Sequence, residues 1–134
     1  MQEYYSELIE KAKDMTEFSY APYSKFLVGA SILYESGNVY GGCNVENSSY
    51  GLSLCAERNA ISNAVAHGEK SAPMAIAIVS SNRKMCPPCG ACRQWLAEFK
   101  HKDIDIKVIL EDENGKPTVY NSSDLLPLDF NLIK

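Results

Sequence analysis

The first twenty residues carry apolar side chains at the spacing of an amphipathic helix. The apolar positions are Tyr5, Leu8, Ile9, Ala12, Met15 and Phe18. They fall on one face of a helical repeat, and Pro22 closes the segment because proline does not continue a helix. The pattern predicts a first helix that packs its apolar face against the rest of the protein.

A β-hairpin and a second helix are predicted next. Residues 26–40 place a Glu-Ser-Gly-Asn turn between two apolar runs, which is typical of a hairpin. The stretch 43–53 is polar and irregular. Ser53 is a suitable N-cap for a helix over 54–67, and Gly68 is a suitable stop.

A buried strand and a third helix follow. The apolar run over 74–79 has the length of a strand. Pro88 suits the first turn of a helix, so the third helix should begin near it. That helix should turn Trp95, Leu96 and Phe99 inward.

The C-terminal part predicts a second hairpin and completes the fold. Residues 104–110 alternate like a strand, Asn114-Gly115 suits a hairpin turn, and 118–120 can form the last strand. Strands and helices alternate through the middle of the chain. We therefore expect one α/β domain over residues 1–134, with a mixed sheet of about five strands covered by helices.

Net charge and apolar content exclude several classes of partner. The formal net charge is −4 and no run of Lys or Arg stands out, so the chain lacks the basic surface that tracks nucleic acid. No segment approaches the roughly 20 apolar residues that span a bilayer, and no signal-like start precedes the first helix. We expect a cytoplasmic protein with a small-molecule substrate and with neither a nucleic-acid nor a membrane partner.

Two clusters of chemically active residues lie at predicted helix starts. They are Cys55-Ala56-Glu57 and Pro88-Cys89-Gly90-Ala91-Cys92. In a reducing compartment such cysteines are more typical of metal binding than of disulfides. Three thiols leave the fourth position of a tetrahedral Zn²⁺ open for water. Glu57 can face that position without coordinating, which is the division of labour in zinc deaminases.

Each cluster alone also has a simpler interpretation. A single Cys-x-x-Cys is often a structural zinc site or a redox pair, and a glutamate in a first helical turn is often a surface charge. Cys86 could complete a closed Cys₄ site, although we expect it not to bind metal, and we expect Cys43 to be a buried thiol. His67 and His101 fall near predicted helix ends, where ligation is not the expected role.

The motifs together resemble the homotetrameric cytidine deaminases that act on free nucleosides. The matching segments are Tyr20-Ala21-Pro22-Tyr23-Ser24-Lys25-Phe26, Val28-Gly29-Ala30, Gly42-Cys43-Asn44-Val45-Glu46-Asn47, Cys55-Ala56-Glu57-Arg58, Pro88-Cys89-Gly90-Ala91-Cys92-Arg93-Gln94 and Leu125-Leu126-Pro127 with Phe130. The resemblance implies a three-layer α/β/α fold, one Zn²⁺ per subunit on three thiolates, and a homotetramer. It also implies deamination of cytidine and 2′-deoxycytidine in pyrimidine salvage, with Glu57 as the proton carrier.

The same resemblance assigns substrate contacts. Phe26 would pack on the pyrimidine, and Asn44 and Glu46 would hydrogen-bond the ribose 3′-hydroxyl. The remaining substrate-binding residues would be Ser48, Tyr50 and Ala56, and Phe130 would reach the active site of a neighbouring subunit.

Arg58 and Pro87 modify this assignment. Three thiolates make a zinc site anionic, and Arg58 could offset that charge by donating to them, although a plain ion pair is the alternative. Pro87 stands where the family usually has serine. The family uses the backbone carbonyl of that residue to accept a hydrogen bond from the leaving amine, and proline retains a carbonyl.

Three rival functions follow from the same motifs. A deaminase of a modified cytosine nucleoside, such as the blasticidin S type, shares both cysteine motifs. A polynucleotide editor commonly has histidine in place of Cys55 and needs a basic channel. A structural zinc module closed by Cys86 would leave Glu57 without a role.

Overall fold

The computed structural model describes residues 2–132 of the chain. The helices are α1 (Gln2–Met15), α2 (Ala56–Ala66), α3 (Gly90–Phe99) and α4 (Ser122–Leu125), and the strands are β1 (Val28–Tyr34), β2 (Val39–Cys43), β3 (Pro73–Ser80), β4 (Lys107–Glu111) and β5 (Pro117–Asn121). Two single turns of 3₁₀ helix cover Thr16–Phe18 and Tyr50–Leu52.

The five strands form one mixed sheet in the order β2-β1-β3-β4-β5. β3 and β4 run parallel, with Ile76 opposite Val108, and the other neighbours run antiparallel. A parallel pair needs a crossover, and α3 provides it. The mixed sheet of about five strands is therefore confirmed.

The alternation of side chains along β3 divides the core into two layers. Ala75, Ala77 and Val79 pack with Leu8, Ile9 and Ala12 of α1 on one face. On the other face, Ile76 and Ile78 pack with a group from α2 and α3: Ala56, Ala60, Ile61, Ala64 and Leu96. Because successive strand residues point to opposite faces, both faces of β3 are covered, and the fold is a three-layer α/β/α arrangement.

α2 lies unusually close to the sheet at β2. A Cβ on Gly42 would stand 2.3 Å from Ala60 N and 2.5 Å from the carbonyl oxygen of Ala56. Only glycine allows this approach of two backbones. The contact fixes the position of the helix that carries Glu57.

Several predicted boundaries were wrong. α2 begins at Ala56 with Cys55 as its N-cap, whereas Ser53 was the expected cap. α3 begins at Gly90 rather than near Pro88. α1 ends at Met15, and Phe18 is 69% exposed on the 3₁₀ turn, so it is not part of the buried face.

The remaining expectations held in outline. Leu96 is buried and Trp95 and Phe99 pack against the core, as predicted. Gly68 and Gly115 adopt positive φ values of 81° and 79° at the predicted helix stop and hairpin turn. Within residues 2–132, no helix is both long enough and apolar enough to cross a membrane.

Candidate active site

Two helix N-termini carry the cysteine motifs to one place. Cys55 is the N-cap of α2 and Cys89 is the N-cap of α3, and both have extended backbone conformations. Cys92 follows in the first turn of α3 and is buried. Helix N-termini carry partial positive charge, which stabilises thiolates placed there.

The three sulfur atoms have the spacing of a zinc site. They all lie within 4.8 Å of one another, with 3.8 Å between Cys55 and Cys89 and 3.5 Å between Cys89 and Cys92. Tetrahedral Zn²⁺ with Zn–S bonds of about 2.3 Å separates its sulfurs by about 3.8 Å. The donor set therefore fits one Zn²⁺ with three protein ligands and a fourth position for water.

A cationic side chain of the protein lies against the sulfur cluster and offsets its negative charge. Arg58 Nη2 donates to Cys55 Sγ over 3.3 Å. The pKa of Cys55 is lowered to about 5, first by the hydrogen bond from Cys92 and then by Arg58. The pKa of Cys92 is raised because it keeps the proton that it shares with Cys55. Arg58 thus contacts the sulfur cluster, as the sequence suggested.

Glu57 is a carboxyl group held inside the protein beside these sulfurs. It lies in the first turn of α2, and the residue is only 4% exposed. Burial raises the pKa of Glu57 to about 7, and a hydrogen bond from its own backbone N–H offsets this only in part. A carboxyl group with a pKa near neutrality can both accept and release a proton at physiological pH.

An open cavity of 530 Å³ lies next to Glu57. Eight of the expected site residues line it: Phe26, Asn44, Glu46, Tyr50, Cys55, Ala56, Glu57 and Cys89. A cavity of this size is in the range that binds small ligands. The structure therefore brings most of the expected residues together around one space.

Four expected residues do not line this cavity: Ser48, Arg58, Cys92 and Phe130. Cys92 and Arg58 belong to the sulfur cluster instead. Ser48 contacts the hydroxyl group of Tyr23 at 2.6 Å. Phe130 is 67% exposed, and its backbone is held by Gln94, whose Nε2 donates to the Phe130 carbonyl over 2.8 Å.

Asn44 has a structural role at the cavity wall. Its Oδ1 accepts from Val28 N over 3.0 Å, and its Nδ2 donates to the Phe26 carbonyl over 2.7 Å. A side-chain amide has two N–H donors, so one donor of Asn44 remains for a ligand. The same side chain therefore fixes the segment that carries Phe26.

Cys86 and Pro87 line the cavity but stand apart from the sulfur cluster. Among the described residues, the cluster contains only Cys55, Cys89 and Cys92. Burial raises the pKa of Cys86 to about 11, which keeps it a thiol. The two prolines at 87 and 88 hold the chain before Cys89 extended.

The segment that carries Cys89 is tied to the C-terminal part of the chain. Arg93 Nε donates to the Pro88 carbonyl over 2.8 Å, and Arg93 Nη1 donates to the Leu125 carbonyl over 3.0 Å. The start of α3 is thereby fixed on both sides of Cys89.

The other candidate residues take no part in the cluster. His67 caps the end of α2, where its Nδ1 lies 2.8 Å from the Asn63 carbonyl. Cys43 is partly buried at the end of β2, and burial raises the pKa of its thiol.

Several residues of the cavity wall had no functional role predicted from the sequence, and two of them contact Glu46. Tyr23 and Ser24 line the cavity, and their backbone N–H groups donate to Glu46 Oε1 over 3.0 and 3.2 Å. They belong to a segment that was recognised as a motif, but no functional role was expected for either. Their proximity to Glu46 depends on folding, since 22 or 23 residues separate them along the chain.

Known proteins resemble the chain in sequence and in structure. A family model described as the cytidine and deoxycytidylate deaminase zinc-binding region matches residues 2–108. The chain is 44% identical over 120 residues to a cytidine deaminase of Halalkalibacterium halodurans, covering 90% of this chain and 89% of that protein. It is 50% identical over 92 residues to a cytidine deaminase of Sporosarcina psychrophila, covering 69% and 67%. The crystal structure of cytidine deaminase from Burkholderia pseudomallei has a TM-score of 0.82 at 44% identity, covering 93% of this chain and 98% of that one.

The matched zinc-binding region contains the cysteines that converge in the fold, and the relatives are cytidine deaminases, so the protein is a zinc-dependent hydrolase. The chain belongs to the cytidine deaminase family. These findings confirm the predicted family, fold class and zinc cofactor. The roles of individual residues remain predictions.

Proposed function

We propose that the protein hydrolyses the exocyclic amine of cytidine and 2′-deoxycytidine, giving uridine or 2′-deoxyuridine and ammonia, as a step of pyrimidine salvage. Family membership supports cytidine as the substrate. The observation that carries the proposal is the buried Glu57 beside three clustered thiols at an open cavity. One catalytic domain over residues 1–134 performs the reaction.

Cys55, Cys89 and Cys92 hold the metal in this proposal. Zinc bound there supplies Lewis-acid activation of water at neutral pH. Arg58 donates to Cys55 and partly neutralises the anionic sulfurs. The N-termini of α2 and α3 act in the same direction.

Glu57 carries the protons of the reaction. Its carboxylate takes a proton from the attacking water and delivers it to ring N3, which makes C4 more electrophilic. The oxygen of that water bonds to C4, and Glu57 takes the remaining proton from the resulting hydroxyl group. It transfers this proton to the departing amine as the C4–N4 bond breaks, the C4 carbonyl forms and ammonia leaves. Glu57 can exchange protons with the water oxygen, ring N3 and the amine nitrogen N4, because it lies beside the sulfurs and is not one of the metal ligands.

The cavity wall provides the substrate contacts. Phe26 packs on the pyrimidine ring, and Ala56 lies at the wall near Glu57. Asn44 and Glu46 hydrogen-bond the ribose 3′-hydroxyl. Binding energy from the sugar, which does not react, helps to orient the ring for attack.

The active form is a homotetramer with shared active sites. Tyr50 lines the cavity and is 78% exposed, and Phe130 is exposed on a segment held by Gln94. Exposed aromatic side chains are enriched at interfaces between subunits. Phe130 reaches a neighbouring subunit's cavity, and Tyr50 completes the wall on the substrate side. Ser48 supports that wall through its hydrogen bond with the Tyr23 hydroxyl.

The loss of cytidine absorbance on adding purified protein, with release of one ammonia per substrate, tests the proposed function. Removing zinc with a chelator should abolish turnover, and adding Zn²⁺ back should restore it. A protein that binds stoichiometric zinc but leaves cytidine unchanged would contradict the proposal and would favour a modified cytosine nucleoside or a structural role for the metal.

A further inference from the structure

A turn of the chain at Tyr23 and Ser24 binds the carboxylate of Glu46 through hydrogen bonds. The backbone N–H groups of both residues donate to Oε1, over 3.0 and 3.2 Å. The Ser24 hydroxyl donates to the other oxygen, Oε2. All three residues line the cavity. Glu46 is therefore held by the segment that carries Tyr23 and Ser24 before any ligand binds.

These three hydrogen bonds leave one acceptor position of the Glu46 carboxylate unused. A carboxylate oxygen accepts about two hydrogen bonds. The two backbone donors fill Oε1, whereas Oε2 has one donor and retains one acceptor position. The pKa of Glu46 is lowered, chiefly by the hydrogen bond from the Ser24 side chain, so at neutral pH the group is an acceptor only. A ligand hydroxyl must therefore bind at Oε2.

The same serine oxygen also fixes the neighbouring aromatic residue. Phe26 N donates to Ser24 Oγ over 3.0 Å. Lys25, between them, has a positive φ of 63°, a conformation that a lysine adopts only when its surroundings enforce it. The Ser24 hydroxyl thus joins Glu46, which is assigned to the sugar, to the backbone of Phe26, which is assigned to the base.

We propose that Ser24 is a positioning residue that couples recognition of the sugar to packing on the base. Its hydroxyl directs the free acceptor position of Glu46 Oε2 toward a sugar hydroxyl and holds the Phe26 backbone in the turn. This inference rests on the proposed function, because it needs a nucleoside in the cavity.

The expected effect of removing the hydroxyl depends on the substrate. Ser24→Ala should lower kcat/KM for cytidine about 10-fold, mainly through a higher KM. A loss of this size is expected when one charge-assisted hydrogen bond is removed. For 3′-deoxycytidine the loss should be about 3-fold or less, since that substrate lacks the hydroxyl that Glu46 would bind. If Ser24 had only a structural role, its loss would lower kcat/KM for cytidine and for 3′-deoxycytidine equally.

Two further variants separate the hydroxyl from side-chain shape. Ser24→Thr and Ser24→Val are nearly equal in shape, and Ser24 is exposed enough to accept either. Thr should restore most of the cytidine activity and Val should not. Ser6→Ala, at an exposed serine of α1 that does not line the cavity, should match the wild type on both substrates.

Zinc content should be unchanged in all of these variants, and thermal unfolding should shift only slightly, because Ser24 is exposed. Equal losses on cytidine and 3′-deoxycytidine, or equal activities of the Thr and Val variants, would overturn the role of Ser24 while leaving the proposed function intact. A wild-type protein that does not deaminate cytidine would overturn both.

Discussion

Glu57 is the residue on which the proposed chemistry depends most directly. Glu57→Gln keeps the size of the side chain but removes the group that accepts a proton, so turnover of cytidine should fall by about 10² to 10⁴ or more. Zinc content should stay at one per chain, because Glu57 is outside the sulfur cluster. The exposed Glu7→Gln on α1 is the matched control. Near-normal activity of the Glu57 variant would assign the proton transfers to another group.

We predict that the three clustered cysteines bind zinc and that Cys86 does not. Cys89→Ser removes one of three clustered sulfurs and should lose both zinc and activity. Cys86→Ser should retain stoichiometric zinc and substantial activity, because Cys86 lies outside the cluster. Metal analysis of the two purified variants decides the matter. Release of zinc from both would mean that the ligand set is wrong.

Residue identity and spacing were sufficient to predict which cysteines cluster in the fold and that Glu57 lies beside them, and were not sufficient to predict the contacts that support the site. The thiols and Glu57 were predictable because two short motifs at helix starts specify a donor set. The grip of Ser24 on Glu46 was not predictable, since the two residues are 22 positions apart and meet only through the turn geometry.

Contacts between distant segments also explain why the start of α2 differed from its prediction. Leu54 pairs with Val45 through two backbone hydrogen bonds of 2.8 and 2.9 Å, which holds it extended. The Ser53 hydroxyl accepts from Asn47 N over 3.1 Å and is not used as a cap. The helix therefore begins at Ala56, and Cys55 takes the cap position that suits a ligand. α4, with four residues, is too short to give a periodic signal.

The contact between β2 and α2 should respond sharply to one methyl group. In Gly42→Ala the new Cβ would meet the backbone of Ala56 and Ala60, so α2 must move away from the sheet. We expect the free energy of unfolding to fall by about 1–3 kcal/mol, and zinc affinity to weaken because Cys55 is the N-cap of α2. Urea titration and competition with a chelator measure the two effects.

Gly51→Ala is the control for that substitution. A Cβ at Gly51 meets nothing within 4 Å, and its φ is not positive, so stability should change little. Equal stabilities of the two variants would mean that the helix can shift without cost.

The first hairpin is held to the end of α2 by Glu69. Its carboxylate accepts from Ser71 Oγ over 2.6 Å, from the Tyr40 hydroxyl over 2.8 Å, and from Asn38 Nδ2 over 3.1 Å. These bonds, that of Ser71 foremost, lower the pKa of Glu69 to about 2. Because this pKa is lower in the folded protein than the value of 4.5 expected for the unfolded chain, the Glu69 carboxylate stabilises the fold at pH values above 4.5. That stabilisation is lost as the pH falls toward 2.

Glu69→Gln should therefore be less stable than the wild type at pH 7, and the difference should shrink as pH falls below about 4.5. Urea unfolding at several pH values measures it, and the comparison of two proteins cancels any shared effect of zinc loss in acid. A difference that stays constant down to pH 3 would show that the carboxylate is not the group responsible.

At the scale of the whole molecule, a mixed sheet covered by helices was predictable from the sequence pattern, whereas the three-layer order and the assembly were inferred from the resemblance. Alternating strands and helices predicted helices packed on the sheet, and the structure shows that both faces of β3 are covered. The exposure of Phe130 and Tyr50 is a property of the folded surface, and no periodicity in the sequence reveals it. In the proposed homotetramer, neighbouring subunits cover these side chains.

Complementation between inactive variants tests the shared active site. Light scattering should give a homotetramer, and Phe130→Ala should lose activity while retaining zinc, because we propose that Phe130 completes a neighbour's cavity. When Phe130→Ala and Glu57→Gln subunits are refolded together, activity should exceed the sum of the two parts. With random mixing, about a quarter of the sites combine an intact Glu57 with a neighbour's intact Phe130. A fully active monomer, or a mixture no more active than its components, would show that each chain completes its own site.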